Sequence, residues 1–271
     1  MTEALHYGAH LRVNGIRLHY LRRGHDGLPP LVIVPGISSP APTWAFVAER
    51  FAGEFDTYVI DLRGRGLSSS EPDLDYGTSA CVADIVAFCK ALGLEHINLL
   101  GHSLGARLVT FTAAAHPECA ERLVLVDPPV SGPGRRPFGM TLDALLETNT
   151  RASNVELDVE QLIAKNPRWP AAVVRTRAEW QHTCSAAATS ASYRGFEADD
   201  WHDAVARLTM PTLLVVAGRD DVIRPSDVDE IKALLPAIAV ETMPDVGHMI
   251  PLDDLEGFAA VTTRFLRASR P

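Results

Sequence analysis

The segment at residues 101–105, with the sequence GHSLG, constrains the fold of this chain more than any other short stretch. It follows an apolar, strand-like run at residues 97–100 and opens a run of helix-spaced apolar residues at 104–115. Glycines on both sides of a serine keep side chains out of a sharp strand-to-helix turn, which lifts the hydroxyl away from the backbone. The placement therefore predicts a nucleophile elbow with Ser103 as the nucleophile.

Strand-like and helix-like patterns alternate along most of the chain. The strand-like runs are apolar enough to be buried on both faces, and they lie at residues 31–34, 57–60, 97–100, 123–126 and 212–216, with a weaker run at 240–242. The helix-spaced patterns lie between them, at residues 44–51, 80–92, 104–115, 226–235 and 252–266. This alternation predicts an α/β fold with a mostly parallel central sheet flanked by helices.

The alternation stops between residues 131 and 205. Prolines and glycines occur at residues 132–137, and charged stretches with a helical pattern follow them. No convincing strand is found in this part of the sequence. We therefore expect a helical cap at residues 131–205, inserted between a first core part at 1–130 and a second at 206–271.

Composition limits the kinds of partner. The formal charge of −9 argues against nucleic acid and anionic membranes, both of which require basic surfaces, while a small anionic substrate remains compatible with a few local arginines. No apolar run approaches the length of a membrane span, and no signal peptide is recognisable at the N-terminus. The four cysteines form no CxxC pair, which favours reduced thiols in a cytoplasmic protein.

The sequence predicts neither a metal nor a cofactor. It has no HExxH motif, no Walker loop and no cluster of metal ligands. The glycine-rich segment at residues 64–69 imitates a dinucleotide-binding loop only in part, because it lacks the third glycine and a clear following helix.

A serine nucleophile needs a general base, and the base needs an orienting carboxylate. His248 lies in a loop after the last predicted strand and before the final predicted helix, where such a sheet presents its base. For the acid, the residues alone leave two choices: Asp127, after the strand at 123–126, and Asp221, after the strand at 212–216. Chain position by itself slightly favours Asp221.

A tetrahedral intermediate also needs preorganised hydrogen-bond donors. The backbone N–H of Leu104, directly after the nucleophile, is one candidate. The backbone N–H of Ile37, in the loop after the strand at residues 31–34, is the other, and Gly36 allows this loop to turn tightly towards Ser103. We predict that these two groups form an oxyanion hole.

Several of these motifs together resemble the α/β-hydrolase superfamily over nearly the whole chain. They are the elbow, the Pro35-Gly36 loop, the segment DLRGRGLS at residues 61–68 and the Gly247-His248 pair. A closer resemblance, to the N-formylmaleamate deformylase family of nicotinate catabolism, is carried by the runs at residues 43–44, 55–59, 72–78, 122–136, 178–180 and 182–184.

The closer resemblance implies a metal-independent serine amidohydrolase that converts N-formylmaleamate to maleamate and formate. It also implies that the triad acid follows the strand before the cap, which assigns the role to Asp127. This chain departs from the family pattern at Asp220 and Asp221, so the loop after the strand at 212–216 keeps an alternative acid.

The implied substrate carries a carboxylate, whose burial requires a partner, most naturally arginine. We expect this partner among the cap arginines, and expect other substrate contacts from the cap and from the loop after residue 34. The predicted substrate-binding residues are Ser38, Arg136, Arg177, Trp180 and His182, with Arg135 and Arg175 as further candidates for the charge.

Two other functions are compatible with the same motifs. The triad could cleave another small carboxylated ester, amide or ring-fission product, because this fold hosts many chemistries. The alternative that is not an enzyme is a receptor, which would use a hydrolase fold to bind a ligand.

Overall fold

The structure, a computed structural model, describes residues 5–268, with side chains described from residue 8 onward. Its strands are β1 Leu5–Val13, β2 Ile16–Gly24, β3 Pro30–Val34, β4 Asp56–Ile60, β5 Asn98–His102, β6 Arg122–Val126, β7 Thr212–Ala217 and β8 Ala239–Met243. They form one sheet in the order β1-β2-β4-β3-β5-β6-β7-β8. β1 and β2 pair antiparallel, as do β2 and β4, while the remaining neighbours are parallel.

The helices connect the parallel strands and cover the sheet. They are α1 Ala45–Phe51, α2 Thr78–Ala91, α3 Leu104–Ala115, α4 Leu142–Ser153, α5 Val159–Lys165, α6 Ala171–Trp180, α7 Ala186–Ala198, α8 Trp201–Ala206, α9 Pro225–Leu234, α10 Ile250–Asp253 and α11 Leu255–Leu266. Short 3₁₀ segments lie at Ala41–Trp44, Pro117–Cys119 and Gln181–Thr183.

Two hydrophobic clusters, one on each face of the sheet, form the core. Helices α2 and α3 contribute Phe88 and Leu108 to the first cluster, and α1 and α11 contribute Phe51 and Phe258 to the second. Strands β3 to β7 supply side chains to both clusters because successive residues point to opposite faces. The architecture confirms the predicted α/β fold with a mostly parallel sheet.

The structure differs from the sequence-based elements at the N-terminus. The β1–β2 hairpin was not predicted, although its turn, Asn14-Gly15, is a typical two-residue hairpin signal. Both residues have positive φ, 49° for Asn14 and 78° for Gly15, as a type I′ turn requires. This hairpin forms the edge of the sheet, and its two strands carry charged residues. These residues weaken the alternation of apolar and polar side chains that would predict a strand.

The predicted helix at residues 252–266 is also interrupted. Asp254 has an extended backbone (φ −152°), and its side chain accepts a hydrogen bond from the N–H of Gly257 at 2.9 Å, which starts α11 separately from α10. Helices α4 to α8 occupy the chain between β6 and β7. The division into core and cap at residues 130 and 205 stays a prediction.

Candidate active site

Ser103 occupies the sharp turn between β5 and α3. Its backbone has φ 54° and ψ −117°, a conformation that residues other than glycine rarely adopt and that recurs at functional sites. A Cβ on Gly101 would lie 2.3 Å from the carbonyl oxygen of Gly105, and a Cβ on Gly105 would lie 1.8 Å from that of Val34. The two glycines therefore permit the close approach of α3 to the sheet that this turn requires.

His248 lies between β8 and α10 and meets Asp127 at the end of β6. The distance from His248 Nδ1 to Asp127 Oδ2 is 2.7 Å. The other carboxylate oxygen of Asp127 accepts a hydrogen bond from the N–H of Ala217 at 3.2 Å, and the side chain is fully buried. Because a carboxylate only accepts, the imidazole carries its proton on Nδ1, which leaves Nε2 as the basic nitrogen.

The alternative acid, Asp221, points elsewhere. Its side chain is 87% exposed and lies 3.5 Å from Arg224. The neighbouring Asp220 contacts the histidine loop differently, because its Oδ2 accepts the backbone N–H of His248. Of the two acids left open by the residues, the structure brings Asp127 to the imidazole ring.

Two backbone donors lie beside Ser103. Leu104 begins α3, so its N–H has no acceptor within the helix. Ile37 lies in the loop after β3, which approaches Ser103 so closely that a Cβ on Gly36 would be 3.5 Å from Ser103 Cβ. Neither N–H donates a backbone hydrogen bond within the described residues. The buried Arg65 holds this loop, because its Nε donates to the carbonyl oxygen of Ile37 at 3.0 Å.

A cavity of about 560 Å³ is bordered by Ser103, His248 and Ile37. Ser38 and Arg177 also line it, and both Ser38 Oγ and Arg177 Nη1 are buried without a hydrogen-bond partner. Buried polar groups in folded proteins nearly always have a partner. Two unsatisfied donors in the same cavity therefore indicate a ligand with hydrogen-bond acceptors.

The family model described as alpha/beta hydrolase fold matches residues 29–255. The chain belongs to the α/β-hydrolase family. An N-formylmaleamate deformylase from Pseudomonas putida is 49% identical over 259 residues, which cover 96% of each chain. The crystal structure of an N-formylmaleamic acid deformylase from Pseudomonas putida matches with a TM-score of 0.88 and 42% identity, covering 95% of this chain and 100% of that one. A 2-(acetamidomethylene)succinate hydrolase from Mesorhizobium japonicum is 27% identical over 237 residues, or 82% of each chain. These findings confirm the predicted resemblance.

Three of the four candidate arginines of this α/β-hydrolase form salt bridges with acidic side chains. Arg135, Arg136 and Arg175 pair with Glu230, Asp227 and Glu160, respectively. The structure does not bring Arg136 to the cavity, and its guanidinium also donates to the carbonyl oxygen of Val222 at 2.8 Å. Burial lowers the pKa of Arg177 to about 10, so this side chain remains a cation at neutral pH.

Trp180 and His182 are not among the residues that line the cavity, so the structure does not bring them to Ser103 and His248. The last residues of α6 do not border the cavity. Residues 178, 179 and 182 instead border a separate surface depression. His182 is exposed there, with Nδ1 2.7 Å from the carbonyl oxygen of Glu179. The lining residues that were not predicted include Arg168 and Trp169, whose signal is the proline-flanked segment NPRWP at residues 166–170, since such loops often carry binding residues.

His102, directly before Ser103, contacts the loop that carries His248. Its ring lies 4.7 Å from the ring of His248 and also borders the cavity. The side chain takes this position because β5 places it opposite the histidine loop, where His102 Nε2 lies 2.9 Å from the carbonyl oxygen of His248.

Within residues 5–268, no group of three or more His, Cys, Asp or Glu side chains is arranged to hold a metal ion. None of the helices in the described part of the chain has both the length and the apolar character of a membrane span. The four cysteines are buried and free of disulfides.

Proposed function

We propose that this α/β-hydrolase cleaves the formyl C–N bond of N-formylmaleamate and releases maleamate and formate. The observation that carries this proposal is the 49% identity to an N-formylmaleamate deformylase over 96% of both chains. The contact between His248 and Asp127 and the unpaired Arg177 support it independently, since the reaction needs an activated nucleophile and a site for a carboxylate.

In the first half of the reaction, His248 takes the proton of Ser103 as the hydroxyl oxygen attacks the formyl carbon. Asp127 holds the ring in the required tautomer and stabilises the imidazolium that forms. The N–H groups of Ile37 and Leu104 donate hydrogen bonds to the developing oxyanion. The result is a tetrahedral intermediate bonded to Ser103.

Protonated His248 then gives its proton to the amide nitrogen, and the C–N bond breaks to release maleamate. This nitrogen is a good leaving group because a second carbonyl group withdraws its electrons. A formyl ester on Ser103 remains. Water, deprotonated by His248, attacks that ester, formate departs, and Ser103 regains its proton.

The maleamate carboxylate binds Arg177, with Ser38 as a further donor. Arg177 Nη1 and Ser38 Oγ are the buried donors without partners in this cavity, so a carboxylate would satisfy groups that are otherwise unpaired. The charge of Arg177 also lacks an acid partner among its described neighbours. A small anionic substrate fits this arrangement.

Residues 131–205 act as the cap over this site. Support comes from the cavity lining, which combines core residues such as Ser103 with Trp169 and Arg177 from the helical segment. The indole Nε1 of Trp169 donates to Asp253 Oδ1 at 2.9 Å and so ties the cap to the core beside His248.

Formate release from N-formylmaleamate tests the proposed function. We expect turnover by the wild-type enzyme and none by Ser103→Ala, while a short chromogenic ester is cleaved more slowly. Activity on the ester without formate release would assign a different substrate. If a fluorophosphonate probe also failed to label Ser103 in the folded protein, the receptor alternative would replace the hydrolase.

A further inference from the structure

His102 is buried in the candidate active site, next to Trp44 and His248. It is 1% exposed, and its ring lies 5.1 Å from the ring of Trp44 and 4.7 Å from that of His248. A Cβ on Gly36, in the loop that carries Ile37, would lie 3.1 Å from His102 Nδ1. The residue before the nucleophile therefore contacts both the histidine loop and the oxyanion loop.

The hydrogen bonds of His102 define its tautomer. Nε2 lies 2.9 Å from the carbonyl oxygen of His248, and a carbonyl can only accept, so Nε2 carries the proton. Nδ1 is buried without a partner, and protonating it would leave an unsatisfied donor. Burial, followed by the charge of His248, lowers the pKa of His102 well below 6.5. The ring thus stays neutral while His248 gains and loses its proton.

We propose that His102 is a positioning residue, which holds the backbone of His248 through its Nε2–H donor and so fixes the base relative to Ser103. This inference rests on the proposed roles of Ser103 and His248. The contact with Asp127 holds the ring of His248 at Nδ1. The backbone contacts, from Asp220 to the N–H and from His102 to the carbonyl oxygen, restrain the residue itself.

This arrangement links the nucleophile and the base through one residue, because His102 precedes Ser103 and contacts the backbone of His248. Ser103 and His102 are adjacent on one rigid strand end, where Ser103 N–H donates to the carbonyl oxygen of Val126 at 2.9 Å. A displacement of β5 would therefore move Ser103 and the anchor of His248 together. Misplacement of a catalytic group by about 1 Å can lower a rate about 100-fold, so a donor at this position affects turnover more than binding.

The test compares His102→Gln, His102→Asn and His102→Phe. The Gln amide can reach the carbonyl oxygen of His248, the shorter Asn amide cannot, and Phe keeps the ring without a donor. We expect kcat for formate release to fall about 10- to 100-fold in the Asn and Phe variants with KM within about twofold, and the Gln variant to stay within a few-fold of wild type. Trp44→Phe is the matched control, because it changes another ring that packs against His102 without touching the hydrogen bond.

The rate of Ser103 labelling by a fluorophosphonate is measured in parallel, because it reports the activated nucleophile whatever the substrate. The same order of variants in labelling supports the proposal even if the wild-type enzyme releases no formate, an outcome that would remove the proposed substrate alone. Equal losses in the Gln and Asn variants, an unchanged Asn variant, or a loss of equal size in Trp44→Phe would each overturn it. If the Phe variant fails to fold by circular dichroism, the Gln and Asn pair decides the result.

Discussion

At the level of single residues, Asp127 and Asp221 differ in the surroundings of their carboxylates. One is buried against His248, and the other is exposed next to Arg224. We expect Asp127→Ala to lower kcat/KM for formate release on the order of 10³–10⁴-fold, because the imidazole loses both its orientation and its counter-charge. Asp221→Ala serves as the control and should remain within about twofold. The reverse order of the two variants would transfer the role of the acid to Asp221.

Arg177 is the second residue with a specific expectation. Replacing it with Met keeps most of its volume but removes the charge and the donors. KM for N-formylmaleamate should rise about 10- to 100-fold, which corresponds to the loss of charge-assisted hydrogen bonds to a carboxylate. Thermal stability should be equal or higher, because a buried cation without a partner opposes folding.

Arg175→Met is the matched control for this prediction. It lies on the same helix, but its exposed guanidinium pairs with Glu160, so KM should not change. Steady-state kinetics measure KM for both variants, and a thermal melt measures their stability. A similar KM for Arg177→Met and wild type would place the carboxylate site elsewhere in the cavity.

At the level of secondary-structure elements, the contact between α3 and β3 depends on a missing side chain. Gly105→Ala would bring its Cβ to 1.8 Å from the backbone oxygen of Val34, and a backbone atom cannot move aside as a flexible side chain can. We expect a loss of about 3 kcal/mol in the free energy of unfolding, measured by urea denaturation. The control is Gly53→Ala, because a Cβ there meets nothing within 4 Å. An unchanged urea midpoint for Gly105→Ala would show that the elbow tolerates a wider separation.

The elements that were predicted well from the sequence are those whose burial is uniform. Strands β3, β4, β5, β6 and β7 are almost completely buried, so each appears as a short apolar run. The β1–β2 hairpin lies at the sheet edge and carries charged residues, so its apolar pattern is weak. The break between α10 and α11 depends on the side chain of Asp254, which a helical periodicity does not reveal.

The pH dependence of stability belongs to the whole molecule. His202 is 4% exposed, and both of its ring nitrogens lack a hydrogen-bond partner. Burial, followed by the charge of Arg135, lowers its pKa from 6.5 to about 4, although Glu230 lies 4.0 Å away. Between these two pKa values the unfolded chain binds a proton that the folded chain does not. Stability therefore falls as the pH decreases from about 6.5 to about 4, by up to about 1.4 kcal/mol per pH unit for one group.

We expect His202→Leu to reduce this dependence, because Leu fills a similar volume and does not titrate. The difference in unfolding free energy between pH 7 and pH 5, measured by urea denaturation, should be smaller than in wild type. The exposed His182→Asn should retain the wild-type difference. The explanation would fail if His202→Leu kept the full slope.

The sequence by itself determined the α/β class, the strand-to-helix turn at Ser103 and the loop position of His248, because each depends on local pattern and chain order. The tertiary structure places Asp127 rather than Asp221 against the imidazole, since both follow strands at the same sheet edge and only packing determines which carboxylate meets the ring. It also separated Arg177 from the three other arginines predicted as candidates, Arg135, Arg136 and Arg175. A cation becomes available to a ligand when neighbouring acids do not neutralise it, and those acids come from distant parts of the chain.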